Sequence, residues 1–270
     1  MTGGAAPLLL MEEGKPPQPD FYTDAEAWSR WCRIPPKAHH LVHWDEGIAQ
    51  TLQFAQSQGL VTSHIQRFGD GWLLGEARGG QTTLYDKHGQ VRATLDLGDA
   101  SQDLQTTPDG KIWVSYFDEG VFGNGIGEQG VICFDGTGAP IFKYGDYADE
   151  HGLPMVCDCY AMNVEPTGAV WLNYYTGFPL VMLRDFALER IWPSFHPMGN
   201  AFAIRGAQVL YLRNGQLMIS NLEPSPEPRS ILVEDEQGHP IVATSGVKLR
   251  AAARGSSLVL NTGVALYELL

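Results

Sequence analysis

Asp118, Glu119, Glu128, Asp146, Asp149, Glu150 and Asp158 fall in two stretches, 117–130 and 145–160, that contain neither Lys nor Arg. Carboxylates gathered from separate stretches repel one another unless a cation or a basic group neutralises them, or unless solvent and distance screen them. Oxygen ligands supplied by several loops are what a hard cation such as Ca2+ or Mg2+ requires. Asp118, Glu119 and Asp158, nearest the ends of apolar segments, are the candidate ligands; solvated acidic loops are the plainer reading. Rings crowd the same region at Tyr116, Phe117, Phe122, Tyr160, Tyr174, Tyr175 and Phe178, as a stacking platform for a ring-bearing ligand would. The candidate binding set is therefore Asp118, Glu119, Asp158, Tyr160, Tyr174 and Tyr175. At most one of Tyr174 and Tyr175 faces a core, because they alternate on a strand end.

If a bound cation polarised a carbonyl, His151 or Tyr174 is the candidate to move the proton. His196 is a further candidate, and an exposed loop histidine is the ordinary alternative. Cys157 and Cys159 alternate onto one strand face, but a second ligand pair of the kind that makes a zinc site is missing, so inert thiols are the preferred reading. His39, His40 and His43 form a loose cluster with no element to converge them. The sequence contains no G-x-S-x-G elbow, H-E-x-x-H pair, P-loop or dinucleotide fingerprint.

The chain has 270 residues, with 18 Lys+Arg against 31 Asp+Glu and a net charge of -13. That sign repels phosphate backbones and excludes general nucleic-acid binding; it suits cations and basic partners. Cys32, Cys133, Cys157 and Cys159 are too sparse for a disulfide scaffold and read as reduced thiols. No Lys or Arg precedes Lys15, and the apolar run Leu8–Met11 is too short for a signal segment or a membrane span. The expectation is a soluble cytoplasmic protein without a membrane partner.

The elements that position these residues repeat. Five apolar strands can be aligned on Trp72, Trp113, Trp171, Val209 and Leu258, and each has a glycine three residues earlier: Gly69, Gly110, Gly168, Gly206 and Gly255. Glycine there allows the positive φ of a tight hairpin. Third strands end at Tyr85-Asp86, Phe134-Asp135, Arg184-Asp185, Leu222-Glu223 and Tyr267-Glu268. The repeat length, on the order of 50 residues, is that of a propeller blade, and units this small must stack radially to bury their faces. Trp113 and Trp171 are then expected in the packing between blades.

The expected fold is all-β: a single β-propeller over residues 1–270, of six blades with five as the alternative, each a four-stranded antiparallel sheet. Residues 64–270 hold the five recurrent modules. Residues 1–63 hold a closing strand, a short helix over Thr23–Trp31 and a degenerate blade with strands at His40–Trp44 and Thr51–Phe54. Leu270 follows directly on the third strand of the last copy, so a strand from the amino-terminal region is expected to complete that blade and hide its edge.

At Thr107-Pro-Asp-Gly-Lys-Ile-Trp113 and Glu165-Pro-Thr-Gly-Ala-Val-Trp171 the chain resembles the propeller repeats of the NHL, virginiamycin-B-lyase-like and two-component-regulator families. The string from Trp113 to Gly123, with Asp158-Cys-Tyr160 after it, also resembles a group of bacterial propeller proteins. The resemblance implies the fold and no substrate, because this architecture hosts enzymes, sensors and scaffolds alike.

In such a meander, the loops between second and third strands share a face with the linkers between blades. Both acidic stretches belong to that face and both leave the second blade. Long connections on a rigid scaffold are where function concentrates. The expected function is non-catalytic binding of a small molecule or a basic protein partner at this mouth. The alternative is a lyase, lactonase or hydrolase dependent on Ca2+ or Mg2+.

Overall fold

All five register glycines adopt positive φ, from 55° at Gly255 to 91° at Gly168. At Gly110 and Gly168 a Cβ would meet nothing within 4 Å, so backbone conformation and not space requires glycine there. Each such turn joins the first to the second strand of a sheet. The computed structural model describes residues 8–13, 26–27, 30, 38–45, 48–55, 62–76, 79–223, 227–245 and 247–269.

An amino-terminal sheet comprises β1 (Leu8–Glu13), β2 (Ala38–Asp45) and β3 (Ile48–Gln53). The first blade is β4 (Thr62–Phe68), β5 (Gly71–Glu76), β6 (Gln81–Tyr85) and β7 (Val91–Asp96). The second is β8 (Ser101–Thr106), β9 (Ile112–Tyr116), β10 (Val131–Phe134) and β11 (Pro140–Lys143). The third is β12 (Asp158–Val164), β13 (Val170–Tyr175), β14 (Leu180–Arg184) and β15 (Ala187–Trp192). The fourth is β16 (Phe202–Arg205), β17 (Gln208–Arg213), β18 (Gln216–Asn221) and β19 (Arg229–Ser230), and the last is β20 (Arg250–Arg254), β21 (Ser257–Asn261) and β22 (Leu266–Leu269). Every pairing is antiparallel and follows chain order within its sheet.

The acids that close the third strands have a local purpose. The Asp86 carboxylate accepts from the N–H groups of His88 and Gln90 at 2.8 and 2.9 Å. Asp135 accepts from Thr137 and Ala139 at 2.8 and 3.1 Å. Both are Asx turns that hold the hairpin to the outermost strand.

The chain is a β-propeller, and its blades number five. Inner strands touch in succession, β4 with β8, β8 with β12, β12 with β16 and β16 with β20. The amino-terminal sheet was expected to add a sixth blade, but among the described residues no strand of it joins that succession. It instead lays Leu41 and Phe54 on Trp72, Leu74 and Tyr85 of the first blade. The expected closing strand also pairs elsewhere: Leu8–Glu13 runs antiparallel to Ala38–His43, and the last blade has three strands among the described residues. Pairing within a local hairpin-like sheet costs less chain entropy than a pairing across the whole sequence. The strands expected at His40–Trp44 and Thr51–Phe54 correspond to β2 and β3. Of the expected helix, Glu26, Ala27 and Arg30 are helical and the rest lies outside the described residues.

Apolar faces fill four junctions between blades. Leu73, Leu84 and Leu97 meet Leu104, Val114 and Tyr116 between the first and second. Trp113 lies between the second and third, and Trp171 between the third and fourth; Leu210 and Leu258 pack between the fourth and fifth. At the axis, buried side-chain amides take over. Gln105 accepts from the Val164 N–H at 2.9 Å and donates to Met162 O at 3.0 Å. Asn163 donates to Phe202 O and Gly255 O at 2.6 and 2.9 Å, and accepts from the Gly255 N–H at 2.6 Å. Thr106 donates to Arg67 O at 2.6 Å.

An unpaired buried donor or acceptor costs about 1–3 kcal/mol. Asn163→Ala is therefore expected to lower the unfolding free energy by about 2–4 kcal/mol, while Ser194→Ala on an exposed turn changes it by less than ~0.5 kcal/mol. Urea titration followed by tryptophan fluorescence measures both; a loss below ~1 kcal/mol for Asn163→Ala would show that the amide does not join the inner strands.

Candidate acidic and aromatic mouth

Both acidic stretches are ordered by packing against each other. The loop after β9 forms α1 (Asp118–Val121) and a 3-10 turn (Ile126–Gln129), and the linker before β12 forms α2 (Tyr144–His151). Gln129 and Asp146 exchange two hydrogen bonds, side-chain amide to carboxylate at 3.0 Å and backbone N–H to amide oxygen at 2.9 Å. Gly130 lies so close to Val156 that a Cβ would sit 2.5 Å from it. The two loops thus form one rim, and Asp146 is used to hold it. Asp118 and Glu119 lie in the first turn of α1, where the exposed N–H groups favour negative charge.

Asp158 opens β12 below this rim and is half-buried. Its carboxyl is pushed up to about 6, first by burial and then by the charges of Asp118 and Glu119. The Tyr160 hydroxyl is raised as well, by burial, Asp158, Asp118 and Tyr175 in that order. The expected carboxylates and two of the expected tyrosines therefore share one electrostatic neighbourhood. Tyr160 is 38% and Tyr175 47% exposed; both rings meet Phe178, at 5.4 and 5.7 Å between centroids. Among the described residues no three His, Cys, Asp or Glu side chains are arranged to hold a metal ion.

Other candidates lie elsewhere. Tyr174 is fully buried between the second and third blades, with its hydroxyl 2.9 Å from that of Tyr144 and donating to Pro154 O at 3.1 Å. Burial pushes that hydroxyl up to about 12. Strand alternation sends Tyr174 into the core and leaves Tyr175 outside. His151 ends α2, stacked on Tyr147 at 4.0 Å, and the Tyr147 hydroxyl accepts from Leu188 on the outermost strand of the third blade. Through Tyr147, His151 stands beside that strand. Burial also pushes His196 down to about 4, where it stacks on Phe195. Cys159 is buried, and the Cys157 thiol lies 3.6 Å from the Thr176 hydroxyl. His39 and His40 are consecutive on β2 and point to opposite faces.

A device absent from the sequence reading shapes the mouth. One extra residue is inserted at the mouth end of β4, β8 and β12, between Thr62 and His64, Ser101 and Asp103, and Asp158 and Ala161. Such bulges re-aim side chains. They turn Tyr160 outward between buried Cys159 and Ala161, and they bring polar groups to the axis that were not anticipated. The His64 ring nitrogen lies 3.1 Å from the Ser101 hydroxyl, and burial pushes the ring down to about 4. Asp103, bonded by Gln105 at 2.8 Å, is pushed up to about 6 by burial. The run Ser101-Gln102-Asp103 in an otherwise apolar blade was the available signal.

A profile for the YxzG family matches residues 131–219. No curated protein sequence matches the chain. Among solved structures, a catalytically inactive virginiamycin B lyase from Staphylococcus aureus, with quinupristin, is similar with a TM-score of 0.51 and 10% identity, covering 85% of this chain and 72% of that one. XC5397 of Xanthomonas campestris, a gluconolactonase, gives 0.48 and 13%, covering 86% and 81%. A chain of a mitotic checkpoint complex gives 0.49 and 13%, covering 86% and 69%. The likeness to the lyase is one of fold. No helix among the described residues is long and apolar enough to cross a membrane.

Asp158 and Asp103 hold protons more tightly folded than unfolded, so their contribution to stability is present below about pH 4 and is lost as pH rises through about 6. The depressed His64 and His196 act oppositely: their stabilisation is present above about 6.5 and is lost as pH falls through about 4. The wild-type profile mixes these signs, and a difference between variants separates them. Asp158→Asn is expected to melt above wild type at pH 7.5, with the gap closing toward pH 4. Scanning calorimetry across that range reads it; a gap independent of pH would remove Asp158 from the cluster.

Proposed function

We propose that this β-propeller is a non-catalytic binding protein that receives an organic cation at its acidic mouth. The cation is an ammonium or guanidinium group of a small molecule or of a basic protein partner. The observation that carries the reading is the half-buried Asp158, within electrostatic reach of Asp118 and Glu119 and paired across the sheet with Tyr175, next to the exposed rings of Tyr160 and Tyr175. Two carboxylates that oppose ionisation of a third are relieved by an adjacent positive charge, and aromatic faces attract such a charge by about 0.5–2 kcal/mol. The net charge of -13 favours encounter with a basic partner. The reading assigns the protein to the cytoplasm, where the free thiols Cys133, Cys157 and Cys159 stay reduced.

The alternative is an enzyme of lyase, lactonase or hydrolase type, with Ca2+ or Mg2+ on Asp118, Glu119 and Asp158. The Tyr174 hydroxyl, buried and engaged by Tyr144 and Pro154, weighs against it. The lyase and the lactonase among the similar structures lend it their fold only.

Calorimetric titration with benzyltrimethylammonium and with an oligo-arginine peptide tests the proposal. Saturable binding is expected, stronger at pH 7.5 than at pH 5, and weakened about tenfold by Asp158→Asn or Tyr160→Ala, in line with about 0.5–2 kcal/mol for a cation–ring contact. Absence of binding by both probes overturns it. Stoichiometric Ca2+ or Mg2+ binding lost in Asp158→Asn, without binding of either organic cation, transfers the site to the alternative.

A further inference from the structure

Four blade junctions are packed; the one between the last and first blades is a cleft of about 660 Å³. Strand alternation explains its walls. Ala251, Ala253, Leu258 and Leu260 pack toward the fourth blade, so Arg250, Ala252 and Arg254, with Val259 as the cross-strand partner of Ala252, face the other way. Opposite them stand Ile65 and Arg67 of the first blade. The described part of the amino-terminal sheet covers the neighbouring Trp72, Leu74 and Tyr85, and among the described residues this part of the junction is open.

The chemistry of the cleft is the reverse of that of the mouth. Arg67, Arg250 and Arg254 line it, and the described lining residues include no carboxylate, in a chain of net charge -13. Arg67 lies over the Trp72 ring at 4.7 Å. Arg254 donates to two neutral acceptors, the Gln66 side-chain oxygen at 2.9 Å and Thr106 O, with Asp103 as the carboxylate in electrostatic reach. Between the cationic groups the surface is apolar, from Ile65, Val259 and Leu266. Its volume is within the roughly 300–1,000 Å³ of small-molecule sites, and guanidinium groups are the preferred partners of carboxylates.

We infer that the cleft between the first and last blades binds a small organic anion with an apolar body, such as a medium-chain carboxylate. The site is separate from the mouth and its charge preference is opposite, so the two readings fail independently.

Decanoate is the probe, with decyltrimethylammonium as the charge-reversed control, both read by calorimetry on the full chain. Decanoate is expected to bind in the cleft at one per chain, with at least tenfold preference over the control. Arg250→Glu is expected to weaken it at least tenfold, Ala252→Trp to abolish it by filling the cleft, and Asp158→Asn to leave it unchanged. Circular dichroism checks the fold of each variant; if Ala252→Trp fails to fold, Arg250→Glu decides. No decanoate binding by the wild type, equal binding of the two probes, or an affinity untouched by Arg250→Glu overturns the inference.

Discussion

An inner strand of a propeller pairs on one side only, so its other edge turns a row of N–H and C=O groups toward the axis, where no apolar neighbour can serve them. Buried backbone groups have to be satisfied. This protein does so with side chains: Gln105 joins the second blade to the third, Asn163 joins the third to the fourth and fifth, Thr106 joins the second to the first, and Arg254 reaches from the last back to Gln66 and Thr106. Apolar packing sets the distance between blades, but these bonds set the level at which each strand stands. Every other feature of the molecule inherits its height from them.

The mouth is the clearest beneficiary. Asn163 is five residues from Asp158 on one strand, and Gln105 is two from Asp103 on another. Fixing one end of each strand therefore fixes where the opposite end presents its carboxylate. The extra residue inserted in β4, β8 and β12 then decides which way the last side chains turn. A clustering of acids that would otherwise spread apart is held together by structure below it, and the Asp158 carboxyl is raised by burial and then by its neighbours Asp118 and Glu119.

Much of this was legible because glycine and tryptophan leave strong local marks. The glycine three residues before each second strand predicts a positive φ, and all five have it; Trp113 and Trp171 sit between blades as their repeat position implies. The grouping of Asp118, Glu119 and Asp158 followed from loop topology alone. What failed depended on partners far away in the chain. Nothing local to Leu8–Glu13 says that it pairs with β2 instead of the last blade, so the count of six blades gave way to five. Tyr174 and Tyr175 were known to point apart, but which one faced the core was set by the neighbouring blade. His64 and Asp103 were missed because bulges leave no mark in the alternation of residues on which strand reading depends.

The unfilled junction also bears on how the ring comes apart. Among the described residues the other four junctions hold apolar clusters, while the last blade reaches the first through Arg254 and Gln66. Local openings draw on the cheapest contacts, so the ring of described blades is expected to give first at that gap, as a split washer does.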